Sequence, residues 1–547
     1  MIKRFFQHQT KNITAAGFIL FLSTVVSALL GIIRNRLLAS NFGMGLKLDI
    51  YFASLKIPSF ITTVLVMGAI SVAIIPLFDK YREKSERHGW HFISAVFNVF
   101  SIFLIVLSGV LFIFTPQLIS LIMPGFSGGG LESVILLTRI MLLQPILMGI
   151  STIVSGVLKS FYRFVVVSLA PIAYNIGVIG GILFLYPLWG LPGLAWGVVF
   201  GSLLHLLIQL PALFKDDFEY FKTFDIKNGL KKVFSLGGPR SLSIIFSQAN
   251  LVFLTGIASV LAVGSISVFH LASDFGQIIT RLIAVSLTTA AYPVLSRAFS
   301  KNNIKSYIKN FNETIRQILY LVIPAGVLFF LLRAQIIRVI LGSGQFGWTD
   351  TRLTAACAGI FGLGVFAQSL VTYISKSFGA LHDNKTPAKI TFAAIIFNIG
   401  AVFSLVYLIK NNSVFRSLIV NFLRLEGIEN IAIVALPLAY VLMMIFQSIL
   451  LLIFIRKTLG SLKGYRIIKT VGEVLVATTA MGVTTYIALY QLAQVFTTNT
   501  FTGIFLQGAG AGLLGLGVFI GFSWLLKMEE FFQVKNIFQK AFSKIRS

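Results

Sequence analysis

Cysteine, acidic residues and charge in general are scarce in this 547-residue sequence. Cys357 is the single cysteine and lies within an apolar run, which excludes a disulfide framework, a CxxC pair and a thiolate metal site. Only 12% of the residues are charged and 56% are hydrophobic, with a mean hydropathy of +0.90. A soluble protein of this size needs a more polar surface, so the composition predicts a polytopic membrane protein.

Short motifs of catalysis and cofactor binding are also lacking. The sequence has no P-loop, G-x-S-x-G, H-E-x-x-H or paired metal-ligand spacing. We therefore expect a protein that is not an enzyme, with no catalytic residue, no cofactor and no metal site. The net charge of +27 does not indicate a nucleic-acid partner, because Lys and Arg lie in short loops between apolar runs and form no single basic face.

What the sequence does contain is a series of long apolar runs. They are about 20–28 residues long and lack the alternation of barrel strands, which predicts an all-α protein of about fourteen transmembrane helices. We number these helices as spans 1 to 14. Their predicted ranges are 16–40, 50–78, 92–115, 131–158, 165–187, 191–213, 237–262, 266–296, 310–333, 351–378, 387–409, 431–455, 467–490 and 501–526.

The distribution of Lys and Arg predicts the orientation. If the N-terminus is inside, the inner segments hold 31 Lys and Arg residues and the outer gaps hold 7, which fits the positive-inside rule. The basic N-terminal segment MIKRFFQHQTKN leads into an apolar run too long for a signal peptide, so we interpret that run as an uncleaved first helix. Both termini are predicted to be cytoplasmic.

An internal repeat relates the two halves of the chain. The tripeptide KSF at 159–161 is followed by AYNIG, and KSF at 376–378 is followed by IFNIG, with an offset near 220 residues. This offset aligns spans 1–6 with spans 7–12 as two parallel repeats. The predicted domains are an N-terminal lobe at 1–213, a cytoplasmic linker at 214–236, a C-terminal lobe at 237–455, and spans 13 and 14 with a basic tail at 456–547.

Charged residues are concentrated in spans 1 and 2. Arg34 lies near the predicted outer end of span 1, and Asp49 and Lys56 lie seven residues apart on one face of span 2, just before Pro58. Buried cations beside a proline break are typical of a discontinuous helix at a substrate site. The alternatives are an interfacial anchor for Arg34 and Arg36, and a structural Asp49–Lys56 pair beside an ordinary kink.

A second group of polar residues lies in span 8. His270 and Asp274 are four residues apart on one face, and Arg281 follows seven residues later on the same side. They could form a proton relay or a coupling-cation site, and they could equally form a satisfied polar network between helices. Arg139 in span 4 and Glu473 in span 13 are further charges within spans, with no partner identifiable from the sequence.

The chain resembles the MurJ (MviN) lipid II flippases of the multidrug/oligosaccharidyl-lipid/polysaccharide exporter superfamily. The resemblance rests on the fourteen spans, on the pattern LLGIIRN…FGMG…LDIYFASLKIP…MGAIS…IIPLF in spans 1 and 2, and on SFGALHDNKTPAK at 377–389. It implies two six-helix lobes around a central cavity, and two extra helices that form a groove for a lipid tail. It also implies that undecaprenyl-pyrophosphate-linked peptidoglycan precursor moves to the outer leaflet by alternating access.

The resemblance carries charged positions of the family onto Arg34, Asp49 and Lys56. Other arginines of the family fall on Ala28, on about Thr62 and on about Asp274, and the acid of its Arg-Asp pair falls on Asn35. The cationic cavity is thus thinned. Arg281 and Arg139 could replace the missing arginines in space, or the substrate could differ.

Our hypothesis is a flippase for a polyprenyl-pyrophosphate-linked glycan, lipid II in particular, in the bacterial inner membrane. Arg34 and Lys56 would bind the pyrophosphate, Asp49 would orient Lys56 or contact the sugar-peptide, and Pro58 would act as a hinge. The alternatives are a flippase for another polyprenyl-linked glycan, a cation-coupled exporter using His270 and Asp274, and a non-transporting scaffold. Such a scaffold would recruit cell-wall synthesis proteins through the basic inner loops and Lys527–Ser547. The predicted partners are the lipid-linked glycan, membrane lipids and cell-wall synthesis proteins.

Overall fold

Long helices account for almost all of the structure, which is a computed structural model. It describes residues 13–215, 218–224, 231–462, 464–497, 500–533 and 535–536, and gives side chains for these except 13–18, 67–73 and 231–241. The predicted segment MIKRFFQHQTKN and the end of the basic tail lie outside the described residues. Within the described part, fourteen helices are long and apolar enough to cross a membrane, which confirms the predicted number. They are Ile19–Phe42, Leu46–Val66, Glu86–Ile122, Gly128–Ser160, Phe164–Trp189, Leu191–Leu213, Leu242–Ser259, Ser265–Ser300, Ile304–Leu331, Trp348–Ala380, Lys385–Asn411, Ala432–Leu459, Tyr465–Val495 and Phe501–Leu525.

Several spans are segmented, and two short helices lie between spans. Span 2 consists of the helices Leu46–Ser54 and Lys56–Ile61, a π-helical stretch Thr62–Ile70 and the helix Ser71–Arg82, and span 4 consists of Gly128–Met141 and Leu143–Ser160. Span 5 consists of the helix Phe164–Gly180, a π-helical stretch Gly181–Leu185 and the helix Tyr186–Trp189. Span 8 consists of the helix Ser265–Ile279, a π-helical stretch Thr280–Val285 and the helix Ser286–Ser300. The helix Arg333–Leu341 follows span 9, and the helix Ser413–Leu423 joins spans 11 and 12.

The predicted repeat is confirmed in the local backbone. Spans 2 and 8 begin at Leu46 and Ser265, 219 residues apart, and each changes from α to π geometry, at Thr62 and at Thr280. Span 4 ends at Ser160 and span 10 ends at Ala380, and in both cases the chain takes a positive φ two residues later. Because these helix breaks recur at the same offset as the sequence matches, they support the predicted relation of spans 2 and 4 to spans 8 and 10.

Packing divides the chain into two compact units, and the boundary between these units differs from the predicted lobe boundaries. Unit 1 comprises residues 1–267 with Ser343–Phe346, and unit 2 comprises Val268–Gly342 with Gly347–Ser547. Span 7 belongs to unit 1, where it packs against spans 2 and 3, although the repeat aligns it with span 1. At one of these contacts Gly256 lies directly against the Ile122 carbonyl of span 3. The lobe boundaries predicted above describe repeats in the sequence, and they stay a prediction.

Small residues allow the helices of each unit to approach closely. In unit 1, a Cβ on Gly181 of span 5 would lie 2.3 Å from the Cα of Gly197 on span 6, so a larger residue at either position would separate the two helices. In unit 2, a Cβ on Gly515 of span 14 would lie 2.0 Å from Oγ1 of Thr485 on span 13. The glycine-rich run of span 14 therefore packs closely against span 13.

Candidate functional site

Arg34 lies in a cluster of polar side chains inside unit 1. It is half-buried on span 1, and its Nε and Nη2 donate to Oδ1 of Asn35 at 3.2 and 3.1 Å. The hydroxyls of Tyr51 on span 2 and Tyr174 on span 5 lie within electrostatic range of the guanidinium. Nε2 of Gln144 on span 4 donates to the Tyr174 hydroxyl at 3.4 Å. We call these five residues the Arg34 cluster; they include one cation and no carboxylate.

The Arg34 cluster was only partly visible in the sequence. Arg34 was identified there by its charge, whereas Tyr51, Gln144 and Tyr174 come from three different spans and share no spacing pattern. Tyr51 is almost fully buried. The sequence pattern that could identify Tyr51 and Tyr174 is a polar aromatic residue within an apolar run. This pattern is weak evidence for a site, because tyrosine is common in membrane helices.

Span 2 is interrupted at Leu55, between the segments Leu46–Ser54 and Lys56–Ile61. Pro58 has no backbone N–H, so it cannot donate to the carbonyl of Ser54 four residues earlier. The hydroxyl of Thr138 on span 4 donates to that carbonyl at 3.4 Å, and the Ser54 hydroxyl donates to the carbonyls of Ile50 and Val134. Span 4 therefore stabilises the break that Pro58 produces, and Lys56, which is half-buried, begins the second segment.

Asp49 is a buried side chain that caps the start of span 8. Its carboxylate accepts hydrogen bonds from the backbone N–H of Gly264 at 2.7 Å, from the N–H of Ser267 at 2.8 Å and from the Ser267 hydroxyl at 2.6 Å. These donors lie at the start of span 8, where backbone N–H groups lack partners within the helix. Asp49 thus holds the end of span 7 and the start of span 8 against span 2, and its contact with Lys56 or substrate stays a prediction.

Arg139 has a structural partner on span 3. Its Nε donates to the carbonyl oxygen of Phe112 at 3.1 Å, and its guanidinium lies 4.8 Å from the Phe112 ring centroid. Pro116 is four residues after Phe112 in the same helix, so this carbonyl lacks the N–H that would normally donate to it in an α-helix. Arg139 satisfies the carbonyl that Pro116 leaves free, and its use as a replacement for a family arginine stays a prediction.

The span 8 residues lie on both sides of a change in helix geometry. His270 and Asp274 are half-buried in the segment Ser265–Ile279, and Arg281 lies in the π-helical stretch that begins at Thr280. Arg281 is exposed and donates from Nη2 to Oε1 of Gln277 at 2.9 Å. These three residues belong to unit 2, whereas the Arg34 cluster, Asp49 and Lys56 belong to unit 1. A relay or coupling role for them stays a prediction.

Unit 2 contains a buried ion-pair network that no sequence pattern predicts. Arg316 on span 9 donates from Nη2 to Glu529 at 2.6 Å, from Nε to Glu530, and from Nε to the Thr470 hydroxyl at 3.0 Å. The hydrogen bond and the positive charge of Arg316 lower the pKa of Glu529, which lies beyond the end of span 14. No sequence signal links residues more than 210 positions apart. Glu473, for which the sequence offered no partner, lies 3.7 Å from Lys469, four residues earlier.

The SFGALHDNKTPAK motif forms the end of span 10, the turn after it and the start of span 11. His382 has a φ of 60°, and Oδ1 of Asp383 accepts hydrogen bonds from the backbone N–H groups of Lys385 and Thr386, both at 3.0 Å. Partial burial by itself raises the pKa of Asp383. The hydrogen bonds from Thr386 and Lys385 and the charge of Lys389 outweigh that effect, so the pKa of Asp383 is lowered. The motif is therefore a charged helix cap on the face predicted to be cytoplasmic.

Comparison with known proteins places this arrangement in a family. The family model described as "Lipid II flippase MurJ" matches residues 38–507. A protein named "Probable lipid II flippase MurJ" from Buchnera aphidicola subsp. Acyrthosiphon pisum is 31% identical over 385 residues, which cover 69% of this chain and 75% of that protein.

Solved structures share the fold. "Lipid II flippase MurJ, inward closed conformation" matches with a TM-score of 0.74 at 24% identity, over 93% of this chain and 98% of the other. An inward-facing multidrug resistance transporter of the MATE family and MOP superfamily matches with a TM-score of 0.64 at 15% identity, over 80% of this chain and 96% of the other. Since the family model covers most of the sequence, the chain belongs to the lipid II flippase MurJ family.

Proposed function

We propose that this protein moves lipid II, the polyprenyl-pyrophosphate-linked peptidoglycan precursor, from the inner to the outer leaflet of the bacterial inner membrane by alternating access. Membership of the family supports the substrate class, and relatives in the family are named as flippases, which are transporters and not enzymes. The single structural observation that carries the proposal is the Arg34 cluster in unit 1, in which two tyrosine hydroxyls lie within electrostatic range of one cation and none of the five residues is a carboxylate.

The chemistry of the cluster suits a pyrophosphate. An arginine can present two N–H groups to phosphate oxygens, and charge-assisted hydrogen bonds contribute about 1.5–3 kcal/mol each. Because Asn35 is neutral, it orients the Arg34 guanidinium and leaves its positive charge available for an anion. The hydroxyls of Tyr51 and Tyr174 would add donors to the same anion.

Lys56 would supply a second cation from span 2. It lies five residues after Tyr51, just beyond the break at Leu55, so a change at that break would move Lys56 relative to Tyr51. We propose Pro58 as the hinge for this movement. We also propose that both termini are cytoplasmic, as the charge distribution predicts, and that the basic tail meets cell-wall synthesis proteins there.

The proposal is tested by complementation of a strain depleted of its own lipid II flippase. Wild-type protein should restore growth and the amount of lipid II exposed in the outer leaflet. Arg34→Ala and Lys56→Ala should each lose most of the rescue at equal expression. Arg36→Ala is the matched control, because it removes an arginine two positions away on the same span and should retain rescue.

Three outcomes would contradict parts of the proposal. Failure of well-expressed wild type would exclude lipid II in that host and favour another polyprenyl-linked glycan. Full rescue by both Arg34→Ala and Lys56→Ala would exclude the cluster as the pyrophosphate site. Rescue that survives Arg34→Ala and is lost with Asp274→Asn would favour the cation-coupled exporter.

A further inference from the structure

The residues of the helix Ser413–Leu423 fall into four stripes at four-residue spacing, and three of these stripes hold three residues each. Its sequence is SVFRSLIVNFL, so residues four positions apart share a face. Val414, Leu418 and Phe422 form an exposed apolar stripe, with 68%, 62% and 62% of each residue accessible. Ser413, Ser417 and Asn421 form an exposed polar stripe beside it, and Phe415, Ile419 and Leu423 form the stripe that is buried or half-buried against the protein.

The helix is well defined in spite of its 11 residues. Oδ1 of Asn412 accepts from the backbone N–H of Phe415 at 2.9 Å and caps the first turn. At the other end, Arg424 has a φ of 59°, and the N–H of Leu425 donates to the carbonyl of Val420 at 2.9 Å. Isolated helices of this length are marginal in water, so capping and docking must supply its stability.

Unit 2 holds the helix in place from one side. Nη2 of Arg333 donates to the carbonyl of Leu423 at 3.4 Å, and the Phe422 ring stacks on Phe330 at a centroid distance of 5.6 Å. Nη2 of Arg416 donates to the carbonyl of Glu429 at 2.8 Å. Phe422 stays 62% exposed beside the Phe330 ring, and Val414 and Leu418 are 68% and 62% exposed, so most of the apolar stripe faces away from the protein.

The neighbouring spans fix the depth of the helix at the membrane boundary. Span 11 ends at Asn411, two residues before the helix begins, and span 12 begins at Ala432. Phe403 and Tyr407 near the end of span 11 are also exposed, at 57% and 66%, so large exposed side chains lie in span 11 close to the start of this helix. An adjacent polar stripe is what a helix needs when one side meets lipid and the next side meets water.

We propose that Ser413–Leu423 is an interfacial helix whose partner is the lipid surface, with Val414, Leu418 and Phe422 inserted at the boundary between headgroups and acyl chains. Lys410, Arg416 and Arg424 are exposed at its two ends and would contact the phosphates of anionic phospholipids. The helix thereby sets the depth of spans 11 and 12 in the bilayer. This role is independent of which substrate the protein transports.

Spin labels placed on adjacent stripes test the proposal. In a Cys357→Ala background, single cysteines replace Val414, Leu418 or Phe422, and the matched controls replace Ser413, Ser417 or Asn421. The full chain is reconstituted in vesicles of phosphatidylethanolamine and phosphatidylglycerol, and each label is exposed to oxygen, which concentrates in lipid, and to a water-soluble nickel chelate. We expect oxygen to relax the labels on the apolar stripe more strongly than nickel, and the reverse on the polar stripe.

Two results would overturn the proposal. Nickel access at all six positions would show that the helix lies in water. Protection of the apolar stripe from both reagents would show that protein covers it, either a second copy or another partner. A second variant pair gives an independent test: Leu418→Asp should make a label at Phe422 nickel-accessible, whereas Ser417→Asp should not.

Discussion

Arg139 donates from Nε to the carbonyl oxygen of Phe112, the carbonyl that Pro116 deprives of its backbone donor. The arginine belongs to span 4 and the carbonyl to span 3, and the guanidinium also packs over the Phe112 ring at 4.8 Å. In a membrane interior an unpartnered carbonyl is destabilising by several kcal/mol, so an arginine can be kept there for the backbone alone. A charge inside a span is therefore not sufficient evidence of a transport site.

This relationship predicts a specific coupling between Arg139 and Pro116. Arg139→Met should destabilise the purified protein by about 1.5–3 kcal/mol, because a charge-assisted hydrogen bond is lost and Phe112 is left unsatisfied. In a Pro116→Ala background, residue 116 regains an N–H that can donate to Phe112, so Arg139→Met should be much less destabilising. Thermal unfolding of the four proteins of this double-mutant cycle measures the coupling. Additive effects of the two substitutions would refute this account of Arg139.

The sequence predicts the span number, the repeat and the position of Arg34, because these depend on local apolar runs and local charge. It could not predict the partners of Arg139, Asp49 or Arg316, because each partner lies outside the span that carries the residue. Asp49 and Lys56 share a face in an ideal helix, but the break at Leu55 and the free N–H groups at Gly264 and Ser267 decide where the carboxylate bonds. The sequence identifies the polar and charged groups whose burial costs free energy. Only the packed structure shows which hydrogen-bond or ion-pair partners these groups have.

Asp49 should matter more for stability than a half-buried acid at the start of another span. Asp49→Ala removes the acceptor of three hydrogen bonds and leaves buried donors, so we expect a loss of about 2–3 kcal/mol. Asp350→Ala is the matched control, because Asp350 accepts from the N–H of Gly347 at the exposed start of span 10, and it should cost less than about 1 kcal/mol. Equal shifts in the unfolding temperature of the two variants would contradict the capping role of Asp49.

Pro58 should matter for transport without being needed for stability. In Pro58→Ala, the new N–H can donate to the Ser54 carbonyl and make span 2 continuous, so the unfolding temperature should stay the same or rise. If the break is a hinge, rescue of the depleted strain should nevertheless fall. Pro324→Ala on span 9 is the control for replacing a proline within a span, and it should keep its rescue. Normal rescue by Pro58→Ala would show that the break is not needed for movement.

The network around Arg316 predicts different roles for two adjacent glutamates. Glu530 is buried and bonded to both Arg316 and Thr470, whereas the Glu529 side chain is 61% exposed. Glu530→Gln should destabilise the protein by about 3–5 kcal/mol, since it leaves Arg316 without its buried counter-charge, and Glu529→Gln by at most about 1 kcal/mol. Replacing Arg316 and Glu530 together by Met should recover part of the loss, because no buried charge then lacks a partner.

The pH dependence of unfolding provides a further check on that network. The pKa of Glu529 is lowered by Arg316, so its contribution to stability is complete above its ordinary value of 4.5 and disappears as the pH falls through the lower folded-state value. Wild type and Glu529→Gln should therefore differ slightly at pH 7 and converge in acid. A difference between them that grows as the pH falls below 4.5 would have the wrong sign and would exclude the Arg316 contact as the cause of the shift.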